Sequence, residues 1–194
     1  MTPDQARIVQ ETWKQVVPIA DAAGELFYRR LFEIDPSTCE LFRATDMPAQ
    51  RRKLLQMLAV AVRGLDNLDA LASTVEELGR RHAGYGVTDA HYDSVGAALL
   101  WTLQQGLGEA WTPAVAAAWS AAYGFLSGIM RSAAVRTHSA RTVRVASEPG
   151  QAAGPLGGNG ERAAPALRCQ HSTRDAWAPC RRWRTLSADH QGER

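Results

Sequence analysis

Apolar residues recur at three- and four-residue intervals over roughly the first 134 positions, and no window alternates for long enough to make a strand. Thr2-Pro3-Asp4-Gln5 reads as a helix start: Thr2 caps, Pro3 suits the first helical position and Gln5 completes a capping box. Val9, Trp13, Val16 and Val17 then form the inward stripe of a first helix, which Pro18 ends or kinks. Asp21 to Ile34 predicts a second, with Leu26, Phe27, Leu31 and Phe32 apolar and Tyr28 among them. Asp35-Pro36-Ser37 breaks it, and Pro36 opens a short helical turn ending in Leu41 and Phe42. After a polar loop at Arg43–Asp46, a long helix from Pro48 carries Gln50, Leu54, Leu58, Ala61 and Leu65 near one face. Thr88-Asp89 caps a helix with Tyr92, Val95, Leu99 and Leu103 inward, closed by Gly106 and Gly108. Thr112-Pro113 starts the last helix, with Val115, Trp119, Ala122, Tyr123, Leu126 and Met130 on its stripe. The pattern predicts an all-α fold of six to eight helices ending near Ala134.

Between those last two and the long helix lies the stretch around which the others are arranged, LASTVEELGRRHAGYGV at Leu71–Val87. Leu71, Val75, Leu78 and His82 share one helical face, and Gly84 and Gly86 stop the helix just after the imidazole. A histidine in that position either caps the helix C-terminus or offers a ring nitrogen to something outside the helix. Periodicity does not choose between the two.

Composition changes the picture mainly at the C-terminal end. At 194 residues and 45% hydrophobic, the chain suits one domain with a sizeable core plus an extension. The net charge of +2 is too small to indicate nucleic acid, and it is unevenly spread. From Ala140 onward nine arginines face five acidic residues, so the preceding part is mildly acidic. Gly, Pro, Ala, Ser and Arg dominate there, and residues 139–194 read as a disordered extension. Cys169, His171 and Cys180 offer at most three ligands, too few for a structural metal centre, and Arg181-Arg182-Trp183-Arg184 reads as a solvated basic run. Three cysteines without CxxC spacing, no apolar leader and no unbroken apolar run of about 20 residues predict a soluble, cytoplasmic protein with no membrane span.

Taken together, FYRRLF at Phe27–Phe32, Leu41-Phe42, Gln50 through Leu54, His82-Ala83-Gly84-Tyr85-Gly86-Val87 and His91-Tyr92 resemble the bacterial globins, and in particular single-domain haemoglobins and the globin domain of flavohaemoglobins. The resemblance runs from about Thr2 to Ala134, which makes residues 1–138 a globin domain around a haem pocket and leaves 139–194 without a counterpart. It implies haem b (iron protoporphyrin IX) as cofactor, with His82 as the axial ligand to the metal. Phe42, Leu54 and Val87 match apolar residues against the ring, Lys53 a cation near a haem carboxylate, and Tyr92 a tyrosine supporting the ligand histidine. Tyr28 and Gln50 match the polar residues on the opposite, gas-binding side, where charge-assisted hydrogen bonds stabilise a polarised ligand. His91, beside a helix cap, is better read as a surface residue, and no histidine precedes His82, so a self-blocked iron is not expected. The family's last-helix glutamate, which makes the ligand histidine more basic, is replaced by Ala134 in the ungapped register.

These matches imply reversible binding of O2, NO or CO at a five-coordinate iron. A nitric oxide dioxygenase is the second reading. The tail has neither alternating apolar runs nor a GxGxxG, so such an enzyme draws electrons from a separate NAD(P)H-dependent reductase. A gas sensor is the third, although no output domain is visible. Monomer and homodimer are both left open.

Overall fold

The computed structural model describes residues 1–146, with side chains to residue 137. Six α-helices follow one another: α1 (Pro3–Val16), α2 (Ala20–Ile34), α3 (Met47–Gly64), α4 (Leu68–Gly84), α5 (Asp89–Leu107) and α6 (Pro113–Ala146). There is no strand among the described residues. The expected starts are present. Thr2 and Gln5 close a capping box on α1, with Pro3 in its first turn. Two caps that the sequence pattern did not single out are Asp46, which accepts from the Ala49 N–H at the head of α3, and Asn67, which does the same for Ala70 on α4. At α5 the box is made by Thr88 and His91, whose Nδ1 accepts the Thr88 N–H at 3.1 Å.

Met1–His138 forms a compact unit. Its core gathers Val9 and Trp13 from α1, Phe27, Tyr28 and Leu31 from α2, Leu71 and Val75 from α4, Leu99 and Leu103 from α5, and Ala118, Trp119 and Ala122 from α6. Trp119 reaches across to α1, where its indole N–H donates to Thr12 at 3.0 Å while its ring lies 6.2 Å from Trp13. Glycine sets the approach of the helices at three places. A Cβ at Gly24 of α2 would lie 3.3 Å from Arg51 and Leu55 of α3. At Gly96 of α5 it would run into the Tyr123 ring, and at Gly79 of α4 it would sit 2.6 Å from the Met130 carbonyl oxygen of α6.

Two expectations need correcting. The last helix does not end near Ala134 but continues to Ala146, taking in part of what reads as a disordered extension. Residues 139–146 hold alanine, valine, arginine, serine and threonine with no glycine or proline, and the next strong breaker is Pro149. The remainder of the extension, with its basic run and its cysteines, lies outside the described residues. The second correction concerns α6 as a sequence. Pro113–Thr137 is long and apolar enough, by length and composition alone, to cross a membrane. It reaches that mark through its many alanines together with Val115, Phe125, Leu126, Ile129 and Met130, without an unbroken run of large side chains. Here Val115, Ala118, Trp119, Ala122 and Ala133 belong to the core.

The α4–α6 contact yields a prediction. Gly79→Ala pushes a methyl group into the backbone of α6, which no side-chain rotation relieves, and overpacking of this kind costs about 1–3 kcal/mol. Chemical denaturation will show that loss for Gly79→Ala. It will show a much smaller change for Gly84→Ala, where a Cβ meets nothing within 4 Å.

Candidate functional site

The site residues fall into two groups. The first lies between α2 and α3. Tyr28 projects inward from α2 with only 5% of its surface exposed. Phe27 meets its ring edge-on at 5.0 Å, Phe42 does so at 5.3 Å from the turn Pro36–Phe42, and Phe32, one helical turn on, lies 6.0 Å away. In the first turn of α3, Gln50 donates its side-chain N–H to the Tyr28 hydroxyl oxygen at 3.1 Å. The phenol therefore acts as an acceptor toward Gln50, and its own proton finds no acceptor among the described residues. Burial pushes the Tyr28 pKa up to about 12, with the Gln50 hydrogen bond pulling weakly the other way, so the proton stays on at neutral pH.

The rest of α3 is unusual for a helix packed on a core. Of its 18 residues only Val62 is fully buried. Leu54, Leu55, Leu58 and Ala59 line up half-buried along the side that faces the protein. Between α3 and α4 lies a separate surface cleft of about 340 Å³, with Met57 on one wall and Ser73, Thr74, Glu77, Leu78 and Arg81 on the other, where Arg81 pairs with Glu77 at 3.2 Å. An apolar row left half-covered by its own fold is what a flat apolar group needs.

The second group stands at the end of α4. Leu71 and Val75 are buried on its inner face, and His82, in the last turn, is half-buried. Its Nδ1 lies 2.8 Å from the Leu78 carbonyl oxygen one turn back. A carbonyl only accepts, so Nδ1 carries the hydrogen, and in the neutral ring the lone pair is on Nε2. Burial lowers the His82 pKa, with the Leu78 hydrogen bond opposing it, which favours that neutral form. Nε2 makes no hydrogen bond with any described residue. The helix then turns sharply: the Tyr85 N–H donates to His82 and Arg81 carbonyls, Gly86 takes φ +81°, and the Val87 N–H returns to the His82 carbonyl at 3.2 Å. Only glycine adopts that left-handed conformation without strain, which is why the AGYGV segment ends α4 there.

Tyr92 lies beside His82 with rings 6.4 Å apart and 26° from parallel. Its hydroxyl is buried and hydrogen-bonds to nothing among the described residues. Tyr92 thus supports the histidine by stacking, while the hydrogen bond to Nδ1 comes from the backbone. The Arg131 guanidinium covers the Tyr92 ring at 5.3 Å, and Tyr123 donates to the Tyr92 carbonyl. Ala134 brings no carboxylate to this side. His91, the other histidine of this unit with a described side chain, caps α5, with Nδ1 on the Thr88 N–H and Nε2 3.4 Å from the Ser37 hydroxyl.

These are the features of a globin pocket, and a family model described as Globin matches residues 25–130. The chain belongs to the globin family. Among known proteins it is 32% identical over 135 residues to a flavohemoprotein of Vibrio cholerae serotype O1, covering 66% of this chain and 33% of that protein. It is 34% identical over 124 residues to a flavohemoprotein of Xylella fastidiosa, covering 61% and 31%. The chain therefore spans about a third of the length of these relatives. An anaerobic nitrite reductase HBII of Casuarina glauca is 29% identical over 136 residues, covering 63% of this chain and 85% of that one. In fold it is similar to a hexacoordinated heme protein from an anhydrobiotic tardigrade, with a TM-score of 0.64 at 18% identity, over 70% of this chain and 96% of that chain.

The haem that the globin family implies fits the residues present: a half-buried apolar row on α3 and an imidazole whose Nε2 is uncommitted. Of the predicted contacts, Phe42, Leu54 and Val87 are half-buried on these elements. Lys53 is exposed on α3. Arg81, next to His82, is exposed as well and is paired with Glu77 at 3.2 Å.

The unmatched Tyr92 hydroxyl makes a prediction. Removing a buried polar group that lacks a partner is neutral or stabilising, by up to about 1–3 kcal/mol. Tyr92→Phe will melt at the same temperature as the parent protein or higher, and its haem spectra will not change.

Proposed function

We propose that this chain is a haem globin that binds diatomic gases reversibly at a five-coordinate iron, with O2 as the principal ligand. The observation that carries this reading is the pairing of a neutral proximal histidine with a distal phenol whose proton is uncommitted. When bound, haem supplies an iron position at which O2, NO or CO is held, and O2 gains partial negative charge there. The chain's residues do the rest. His82 presents the Nε2 lone pair, and the Leu78 carbonyl fixes the ring's tautomer and tilt. Leu54, Leu58, Phe42 and Val87 supply the apolar walls. Gln50 holds the Tyr28 oxygen, which directs the Tyr28 O–H toward the ligand.

The same geometry favours storage or delivery of the gas over strongly oxidising chemistry. A carboxylate on Nδ1 gives the histidine imidazolate character and raises the ligand's basicity, whereas a backbone carbonyl does so far less. Here Nδ1 meets Leu78, and the register position of the family's glutamate holds Ala134. A nitric oxide dioxygenase remains the second reading because Tyr28 and Gln50 together suit tight O2 retention. That reading requires electrons from a separate NAD(P)H-dependent reductase, and the flavohemoprotein relatives, three times the length of the matched region, are what point to one.

Two measurements test the proposal. Purified His82→Ala will fail to retain stoichiometric haem on hemin titration. Full retention with an unchanged five-coordinate ferrous spectrum would remove His82 from the ligand role. Tyr28→Phe will speed O2 dissociation in stopped flow by more than about tenfold, the loss of one charge-assisted hydrogen bond worth about 1.5–3 kcal/mol. An unchanged off-rate would show that the phenol does not donate to the ligand.

A further inference from the structure

α3 holds Arg51, Arg52, Lys53 and Arg63 and no aspartate or glutamate. Arg51 is spoken for by Glu25 of α2 at 3.0 Å. Arg52, Lys53 and Arg63 are exposed and pair with no carboxylate among the described residues. They are exceptions, because each of the other lysine and arginine side chains described lies within 4.0 Å of an aspartate or glutamate oxygen. At 3.6 residues per turn Arg52, Lys53, Gln56, Met57, Val60 and Arg63 share one side of the helix. All six are exposed, opposite the row Leu54, Leu55, Leu58 and Ala59 that packs on the core.

Two large apolar residues stand among these cations, Met57 at 39% and Val60 at 41% exposed. Met57 is also one wall of the surface cleft of about 340 Å³, across which lie Leu78, Ser73 and Thr74 of α4. The carboxylate of that cleft, Glu77, is engaged by Arg80 at 2.9 Å and Arg81 at 3.2 Å, so it does not offset the charge on α3. The domain as a whole is mildly acidic, and its uncompensated positive charge is gathered on this one face. Such a patch contributes nothing to the fold, but it draws in and orients a partner of opposite sign.

The make-up of the face indicates what that partner is. A helix lying on an anionic lipid surface sinks tryptophan, phenylalanine or leucine into it, and this face exposes none of them. Duplex nucleic acid calls for a longer run of cations than Arg52, Lys53 and Arg63 supply. A second copy would set the patch against itself, cation on cation. Arginine and methionine beside a recess, with a polar surround, suit a protein surface. We propose that the outward face of α3 docks an acidic segment of a partner protein, whose carboxylates meet Arg52, Lys53 and Arg63 while an apolar side chain enters the cleft beside Met57. This inference does not depend on the haem reading.

Fluorescence anisotropy tests it, with the full chain titrated into a short labelled peptide of glutamates around a single leucine. Saturable binding is expected, weakening at least about tenfold between low and high salt. The double variant Arg52→Glu/Arg63→Glu will bind at least about tenfold more weakly with unchanged circular dichroism. Arg52→Gln/Arg63→Gln, which only neutralises the charge, will lose less and keeps the test decisive if the first variant fails to fold. Met57→Asp will cost about fivefold. Exchanging the peptide's leucine for glycine will weaken binding to the parent chain but not to Met57→Asp. Absence of saturable binding overturns the proposal. So does binding that is indifferent to the α3 variants and is lost on Arg181→Glu/Arg182→Glu/Arg184→Glu, which would assign the peptide to the basic run near the C-terminus. A parent chain that ignores the peptide but self-associates through α3 in sedimentation velocity, or co-sediments with phosphatidylcholine–phosphatidylglycerol vesicles, overturns it as well.

Discussion

The backbone-to-backbone approach of α4 to α6 at Gly79 is the constraint on which the His82 side of the site depends. His82 follows Gly79 by three residues, so the depth at which α4 lies on α6 also sets the depth of the imidazole. With the helix seated there, Leu71 and Val75 enter the core and Leu78 reaches the cleft edge. The Leu78 carbonyl is then in line with Nδ1 of a residue one turn later. Nothing charged is required to orient the ring, because helix geometry alone brings donor and acceptor together. The left-handed Gly86 then ends the helix before a further turn could cover Nε2.

Apart from that neutral imidazole stands the Tyr28–Gln50 pair, held in an aromatic cage. Phe27, Phe32 and Phe42 surround the Tyr28 ring from three directions and limit its rotation. The Arg51–Glu25 ion pair at 3.0 Å, one residue after Gln50, ties the start of α3 to α2 beside the close contact at Gly24. Gln50 is thus presented by a fixed helix end rather than by a loop. A polarised ligand would meet a donor whose direction is set by packing, and preorganised dipoles of this kind lose little on reorganisation.

Much of this was legible in the sequence, for identifiable reasons. Caps and proline starts are local, so Thr2, Thr88 and Pro113 mark their helices without help from the rest of the chain. The stripe Leu71–Val75–Leu78–His82 is likewise a property of one helix. What periodicity does not encode is depth, tilt or the partner of a polar atom. The resemblance to the family, not periodicity, placed Tyr92 beside His82, and it did not give the fate of the hydroxyl, which is buried without a bond among the described residues. The same resemblance pointed to Lys53 as a cation near a haem carboxylate, a position that is exposed on α3. Periodicity also ended α6 early, since the change from large apolar residues to Arg, Ser and Thr resembles a boundary although all of these residues accept a helix.

The Tyr28–Gln50 pair is not explained by stability. A buried neutral hydrogen bond contributes about 0.5–1.5 kcal/mol net, and replacing both partners by apolar groups of similar shape is close to neutral. Phenylalanine at position 28 would keep the three aromatic contacts and spare the desolvation of a hydroxyl. What the pair adds is direction. Gln50 takes one side of the phenol oxygen and leaves the proton, held on the ring by burial, without an acceptor in the described structure. A donor kept dry and unspent is a local cost to the fold, and a ligand that carries partial negative charge into the pocket is what recovers it.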